Sequence, residues 1–241
     1  MTDVLVVGGG PAGLSAALFT AKNGLDTAVF DTDGTWMHKA HLFNYPGIGS
    51  VDGSNYMATL RDQVDDFGVE RHQGTEVTEI VDEGDGFVVS VASETQRADG
   101  DSEGQGPSGN RASPGDSEAQ SASGRSSGQS PREEADDGDD EHAADYVVLA
   151  TGANRDLAAD LGCELTDADV VDVDVTMETS VDDAYATGAM VRVEEWQAVI
   201  SAGDGAAAAL NILSKEKGEH YHDFDVPADA EAVFGSLVDD E

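Results

Sequence analysis

The sequence predicts an α/β fold of three layers, with a central parallel sheet and a small antiparallel β ribbon. Three observations point there. The apolar run Val4 to Val7 leads at once into a glycine-rich turn and a small-residue helical stretch, the order in which a buried parallel strand feeds a crossover helix. A second apolar strand, Thr27 to Phe30, then ends on Asp31, closing a β-turn-α-β unit of about thirty residues. Further along, "EVTEIV" and "GFVVSVAS" flank the turn residues "DEGDG", as two paired antiparallel strands do.

The elements follow in order. The first strand covers residues 3–7, and its helix runs to Lys22, where Asn23-Gly24 supplies a stop. Residues 32–50 read as a loop rich in Gly, His and aromatics. Met57, Leu60, Val64 and Phe67 share one face of an amphipathic helix that Gly68 ends. "VERHQG" is a short strand ahead of the ribbon. Residues 98–141 contain no Val, Ile, Leu, Met, Phe, Tyr or Trp. Such a stretch buries too little apolar surface to offset chain entropy, and it reads as a disordered insertion at a hairpin tip. Strand character resumes in "DYVVLATGA". The alternation of "ADVVDVDV" reads as a strand, and "DAYATGA" as another. A helix then spans Glu195 to Leu213, its core face drawn from Val199, Ala202, Ala206, Leu210 and Leu213. Gly203, Gly205 and the run Ala206 to Ala209 leave another side slim enough for a close neighbour. The organisation is therefore one two-segment domain, residues 1–97 and 142–222, with the insertion at 98–141 and a C-terminal arm at 223–241.

The formal charge is −38, from 12 basic and 50 acidic residues. That balance argues against nucleic acid and anionic membranes as partners. Residues 98–141 hold 12 acids and three Arg, which leaves −29 on segments that look folded. The pattern resembles proteins of a very salty, halophilic cytoplasm. No long apolar run or charged leader precedes the first strand, so the reading is of a soluble, cytoplasmic chain. With Cys163 the lone cysteine, neither an internal disulfide nor a C-x-x-C redox pair can form; Cys163 reads as a small buried residue. His38-x-x-His41 and His220-x-His222 read as loop or surface histidines rather than metal ligands, one of the first pair being a candidate proton donor. Trp36 and Trp196 read as packing residues, with shielding of a bound ring as the other option.

The chemistry starts at Gly8-x-Gly10-x-x-Gly13, placed after a strand and opening a helix. Gly8 permits the tight turn, Gly10 lets backbone approach a pyrophosphate, and Gly13 lets helix and strand pack closely. The helix N-terminus offers free N–H groups and partial positive charge to phosphates. Asp31, at the end of the next strand, stands where a carboxylate takes an adenosine ribose hydroxyl. This is a Rossmann-like dinucleotide site, and alone it leaves NAD and FAD both open.

Three further stretches resemble the thioredoxin reductase family of the pyridine nucleotide-disulfide oxidoreductases: "FNYPGI", "VVLATGA", and "TSVDDAYATGAM" followed by "WQAVISAGDGAAAAL". The resemblance implies an FAD-binding domain made from two segments of chain. It implies that Gly8, Gly10, Pro11, Ala12 and Gly13 hold the pyrophosphate and Asp31 the ribose. Asn44 would lie by the flavin and ribityl chain, and Val77 would pair its backbone with the adenine. Thr151 and Gly152 would pass close to the cofactor, Gly188 would approach the ribityl phosphate, and Gln197 and Ala198 would sit at the flavin pyrimidine edge. There a helix N-terminus stabilises the negative charge of reduced flavin.

The chain departs from that family in three ways. Gly188-Ala189 stands where the family has Gly-Asp, the acid that binds the ribityl chain. No second GxGxxG, and hence no NADPH domain, lies between "ATGA" and "TSVDDAYATGAM". The redox C-x-x-C is missing. Three readings follow: an FAD-dependent oxidoreductase taking electrons from a partner protein such as a ferredoxin, or from a transient nicotinamide; a flavin- or nucleotide-binding module without turnover, a sensor or subunit; and an NAD-binding Rossmann enzyme. A homodimer stays open under each.

Overall fold

The computed structural model describes residues 2–92 and 140–224. Most of the expected insertion, and the arm beyond Phe224, lie outside the described residues. The main sheet is built on β1 (Thr2–Val7), β2 (Thr27–Asp31), β5 (Glu70–Gln73), β6 (Val77–Asp82), β7 (Phe87–Val91), β8 (Asp140–Leu149) and β9 (Ala184–Ala186). Its order is β5-β2-β1-β8-β7-β6, with β9 also on β8. Strand β1 runs parallel to β2 and β8, and β2 to β5. All these strands therefore present their C-terminal ends along one edge, with β1 central. Strand β8 begins at Asp140 rather than at the expected Asp145, so Asp140 and Glu141 are strand and not insertion.

The strands feed two cores. Val4 and Val6 point to one face of β1, and Leu5 and Val7 to the other, all fully or nearly buried. On the first face pack α1 (Pro11–Lys22), α2 (Gly53–Asp66) and α4 (Ala198–Lys217), through Leu14, Ala17, Met57, Val64 and Ile212. On the second face the antiparallel β6–β7 ribbon folds back over the sheet, bringing Val77, Ile80, Phe87 and Val89 against Leu5, Val7 and Phe30. The predicted three layers are thus helices, parallel sheet and ribbon. The ribbon is continuous with the sheet through β7 and β8.

Several local expectations change. The loop at 32–50 contains a single 3-10 turn, Trp36–Lys39, and a two-stranded pair of β3 (His41–Leu42) and β4 (Val51–Asp52). Phe67 caps α2 and is exposed rather than on its core face. "ADVVDVDV" forms no strand, only a bridge from Leu165 to Val171. Its aspartates decide this. Asp169 takes a positive φ of 57°, and the Asp174 carboxylate accepts the backbone N–H of Thr176 and of Glu178, a side-chain turn that competes with strand pairing. Helix α4 starts at Ala198, three residues later than expected, and its buried stripe is Asp204, Gly205, Ala208, Ala209, Ile212 and Leu213. The slim side is therefore the packed one: a Cβ on Gly205 would run into the Ala12 carbonyl of α1. Small residues beat larger apolar ones because they bring two helix backbones close. Between Gly152 and β9 lie only the six-residue α3 (Asp156–Leu161) and single bridges. That segment holds no second βαβ unit.

Candidate dinucleotide-binding site

The site forms along the edge where β1, β2, β8 and β9 end, with β1 at the point where the chain crosses from one side of the sheet to the other. Gly8 leaves β1 with φ +109°, and a Cβ there would strike the Ala150 carbonyl at the end of β8. A Cβ on Gly13 would strike the Gly8 carbonyl. These two glycines are therefore needed by the fold itself. Gly10 is different. A Cβ added there would have only Thr35 Oγ1 near it, at 3.7 Å. The space above Gly10 is open, and α1 starts there with Pro11 at its first position.

Helix termini give a second clue. Asp52 caps α2, accepting from the N–H groups of Ser54 and Asn55. Helices α1 and α4 have no side-chain cap and no acid in the first turn. In a chain with 50 acidic residues, the first turns of these two helices carry none, which suits an anion at their N-termini. They meet at Gly188. A Cβ on Gly188 would lie 3.2 Å from Ala12 Cβ and 3.5 Å from Ser201 Oγ, so the segment after β9 threads between the starts of α1 and α4. Arg192 fastens that segment to α4 by a forked pair with the buried Asp204, at 2.5 and 3.2 Å.

The expected residues fall into three groups. Gly8, Gly10, Pro11, Ala12, Gly13, Thr151 and Gly188 gather around the α1 N-terminus. Gly152 is exposed with open space where a Cβ would be, and Thr151 Oγ1 donates to the Asn154 carbonyl. Asn44 and Gln197, from the loop after β3 and the start of α4, meet in a 2.6 Å hydrogen bond, next to Ala198. Asp31 stands at the opposite end beside Gly9. Its carbonyl accepts from Gly74 and Thr75, which brings the turn into Val77 and β6 next to it.

Sequence reasoning missed Arg61. From α2 it reaches Asp31 Oδ2 at 3.4 Å and Asp33 Oδ1 at 2.5 Å. The only trace in the sequence is that it is one of few cations in an acidic chain. His38 places one ring nitrogen 2.7 Å from Asp33 and the other 3.2 Å from Ser54 Oγ. The tryptophans correct an expectation: Trp36 is 80% and Trp196 55% exposed, so neither is a packing residue. Cys163 is buried, its thiol pushed up by that burial despite contact with Thr179. It is a core residue, as expected. Among the described residues no three His, Cys, Asp or Glu gather as metal ligands, and no helix is long and apolar enough to cross a membrane.

Known proteins share the fold that carries this geometry. The family model for pyridine nucleotide-disulphide oxidoreductases matches residues 2–101 and 116–203. A thioredoxin reductase of Listeria monocytogenes is 33% identical over 99 residues, 40% of this chain and 31% of that protein. One of Aquifex aeolicus is 37% identical over 76 residues, 30% of this chain and 24% of its own length. The matched stretch thus spans less than a third of these relatives. Among solved structures, a thioredoxin reductase from Gloeobacter violaceus superposes with a TM-score of 0.66 at 18% identity, over 93% of this chain and 98% of that one. A ferredoxin-flavin thioredoxin reductase from Clostridium acetobutylicum gives 0.61 at 14%, over 90% and 99%. At such identities the likeness is one of fold.

Proposed function

Since the chain belongs to the pyridine nucleotide-disulphide oxidoreductase family, we propose that it binds FAD and serves as an oxidoreductase that takes electrons from a partner protein. The single observation behind the cofactor is the pair of uncapped helix N-termini, without acids in their first turns, converging at Gly188. A diphosphate is the group that such a place suits, and the open ground above Gly10 leaves it room. The residues present fit FAD in other respects. Asp31 would take the adenosine ribose, and Val77 would offer its backbone to the adenine. The Asn44–Gln197 pair would hold the flavin end, with Ala198 at the start of a helix that favours the reduced form. When bound, FAD supplies the electron-transfer chemistry; the chain's residues bind it, orient it and set its charge environment. The NAD reading is weaker, because it gives no role to the Asn44–Gln197 end of the site.

The electron source is read from what residues 153–183 contain. They form one short helix and single bridges, which offers no fold for docking a nicotinamide. A one-electron carrier such as a ferredoxin suits a chain with neither that fold nor a C-x-x-C, and a solved neighbour is a ferredoxin-flavin thioredoxin reductase. The test of the cofactor is direct. Purified in molar KCl, the protein is expected to be yellow, or to turn yellow with added FAD, and acid release should yield FAD. A protein that stays colourless with excess FAD would end this reading.

A further inference from the structure

We propose that Arg61 is the positioning residue of the adenosine end, holding Asp31 ready for the ribose 2′-hydroxyl. The proposal rests on the FAD reading and adds to it a residue that no glycine or ribose motif contains. Asp31 and Asp33 bring two carboxylates to the end of β2. Left alone they repel each other, and the Asp31 carboxylate would rotate toward solvent. Both Asp31 oxygens are instead engaged: Oδ1 accepts the Asp33 N–H at 3.0 Å, and Oδ2 lies 3.4 Å from Arg61 Nη2. The same Nη2 lies 2.5 Å from Asp33 Oδ1, so one cation stands between the two anions. The Arg61 side chain is 14% and that of Asp31 12% exposed, so screening by water is reduced. Its origin is fixed too, because α2 is capped by Asp52 and anchored by buried Met57 and Val64.

Arg71 lines the same crevice but cannot substitute. Its Nε and Nη2 fork onto Asp65 at 2.6 and 2.8 Å, and its Nη1 reaches Gln73. Each Asp31 oxygen keeps a lone pair after these bonds, so the carboxylate can still accept from a ribose. Fixing the acceptor in advance lowers the ordering cost of binding.

A bystander Arg61 would only staple α2 to the strand end, and a ligand cycle separates the two roles. FAD and its 2′-deoxyadenosine analogue are titrated into the full chain in molar KCl, for the unaltered protein, Arg61→Met and Arg61→Lys. The unaltered protein should prefer FAD by about tenfold. Arg61→Met should bind FAD about tenfold more weakly yet lose that preference, and Arg61→Lys should keep part of it. A Met variant weakened equally toward both ligands, with the preference intact, would overturn the proposal. If Arg61→Met does not fold, an unreduced preference in Arg61→Lys overturns it equally. Binding of FAD without any preference in the unaltered protein would place Asp31 away from the 2′-hydroxyl and also sink it. No FAD binding at all would instead remove the reading on which it rests.

Discussion

Asn44 donates from Nδ2 to Oε1 of Gln197 across 2.6 Å, joining positions 153 residues apart. The bond ties the loop after β3 to the N-cap of α4, and it links two segments that the resemblance assigns to the flavin. Both residues are exposed, so the bond contributes little to stability and its value would lie in binding. Gln197→Ala should leave the melting temperature unchanged while weakening FAD about 2- to 10-fold, the worth of one hydrogen bond. Fluorescence quenching of FAD measures it. A loss of stability without loss of affinity would make the pair structural.

The glycines of the first turn should separate cleanly. Gly10→Val places its side chain in open space, so the fold should persist while FAD affinity disappears. Gly13→Val drives a side chain into the Gly8 carbonyl, so the fold itself should suffer by about 1–3 kcal/mol or more. Thermal melts beside FAD titrations decide. Equal destabilisation by both would show that Gly10 too is held by packing.

Legibility in the sequence followed the range of the interactions. Strands β1 and β2 and the Gly8–Gly13 turn were readable because each depends on residues within a few positions. The ribbon was readable from the turn residues between its two strands, though its place over Leu5 and Phe30 was not. The face of α4 was misread because apolarity points to Val199 and Leu210, whereas close packing against α1 selected Gly205, Ala208 and Ala209. The run at 168–175 had the right period for a strand, but Asp174 used its side chain to turn the backbone. Arg61 was invisible because its role depends on α2 lying beside β2, a tertiary fact. Asn44 and Gln197 were named one by one from the resemblance, and only the fold shows that they touch.

Acid should expose the Arg61 cluster. Burial alone pushes the Asp33 carboxyl up, but hydrogen bonds from Arg61 and His38 outweigh it and hold the group down, from its ordinary 3.8 to about 2. A carboxyl lowered on folding stabilises fully above its unfolded pKa and loses that contribution as pH falls through its folded one. Asp33→Asn should therefore be less stable than the unaltered protein at pH 5, and the gap should close between about pH 4 and pH 2. Melting temperatures across that range test it; a gap independent of pH would mean that the charge plays no part.

Salt should act on the whole chain. With 50 acidic and 12 basic residues, repulsion falls as the screening length drops from about 10 Å at 0.1 M to about 3 Å at 1 M. The melting temperature should rise steadily with KCl. A constant value would mean that the acids are spaced widely enough not to interact.

Electron entry is the sharpest test of the proposed function. A nicotinamide that reduces flavin must first be held against it, and dinucleotide docking needs its own phosphate-binding turn. In this chain the GxGxxG turn sits at α1 and is assigned to FAD. Residues 153–183 supply only α3 and isolated bridges, and Cys163, the lone cysteine, is buried and bonded to Thr179. A bound nicotinamide would therefore have no fold of its own, and electrons would have no disulfide to reach. The FAD-loaded protein, mixed anaerobically with NADPH or NADH in a stopped-flow instrument, should show only slow, non-saturating bleaching of flavin absorbance. A reduced ferredoxin should bleach it rapidly, and thioredoxin should not be reduced with NADPH as donor. Rapid, saturable bleaching by either nucleotide would reveal a nicotinamide site on this surface, and electron delivery by a partner protein would then have to be abandoned.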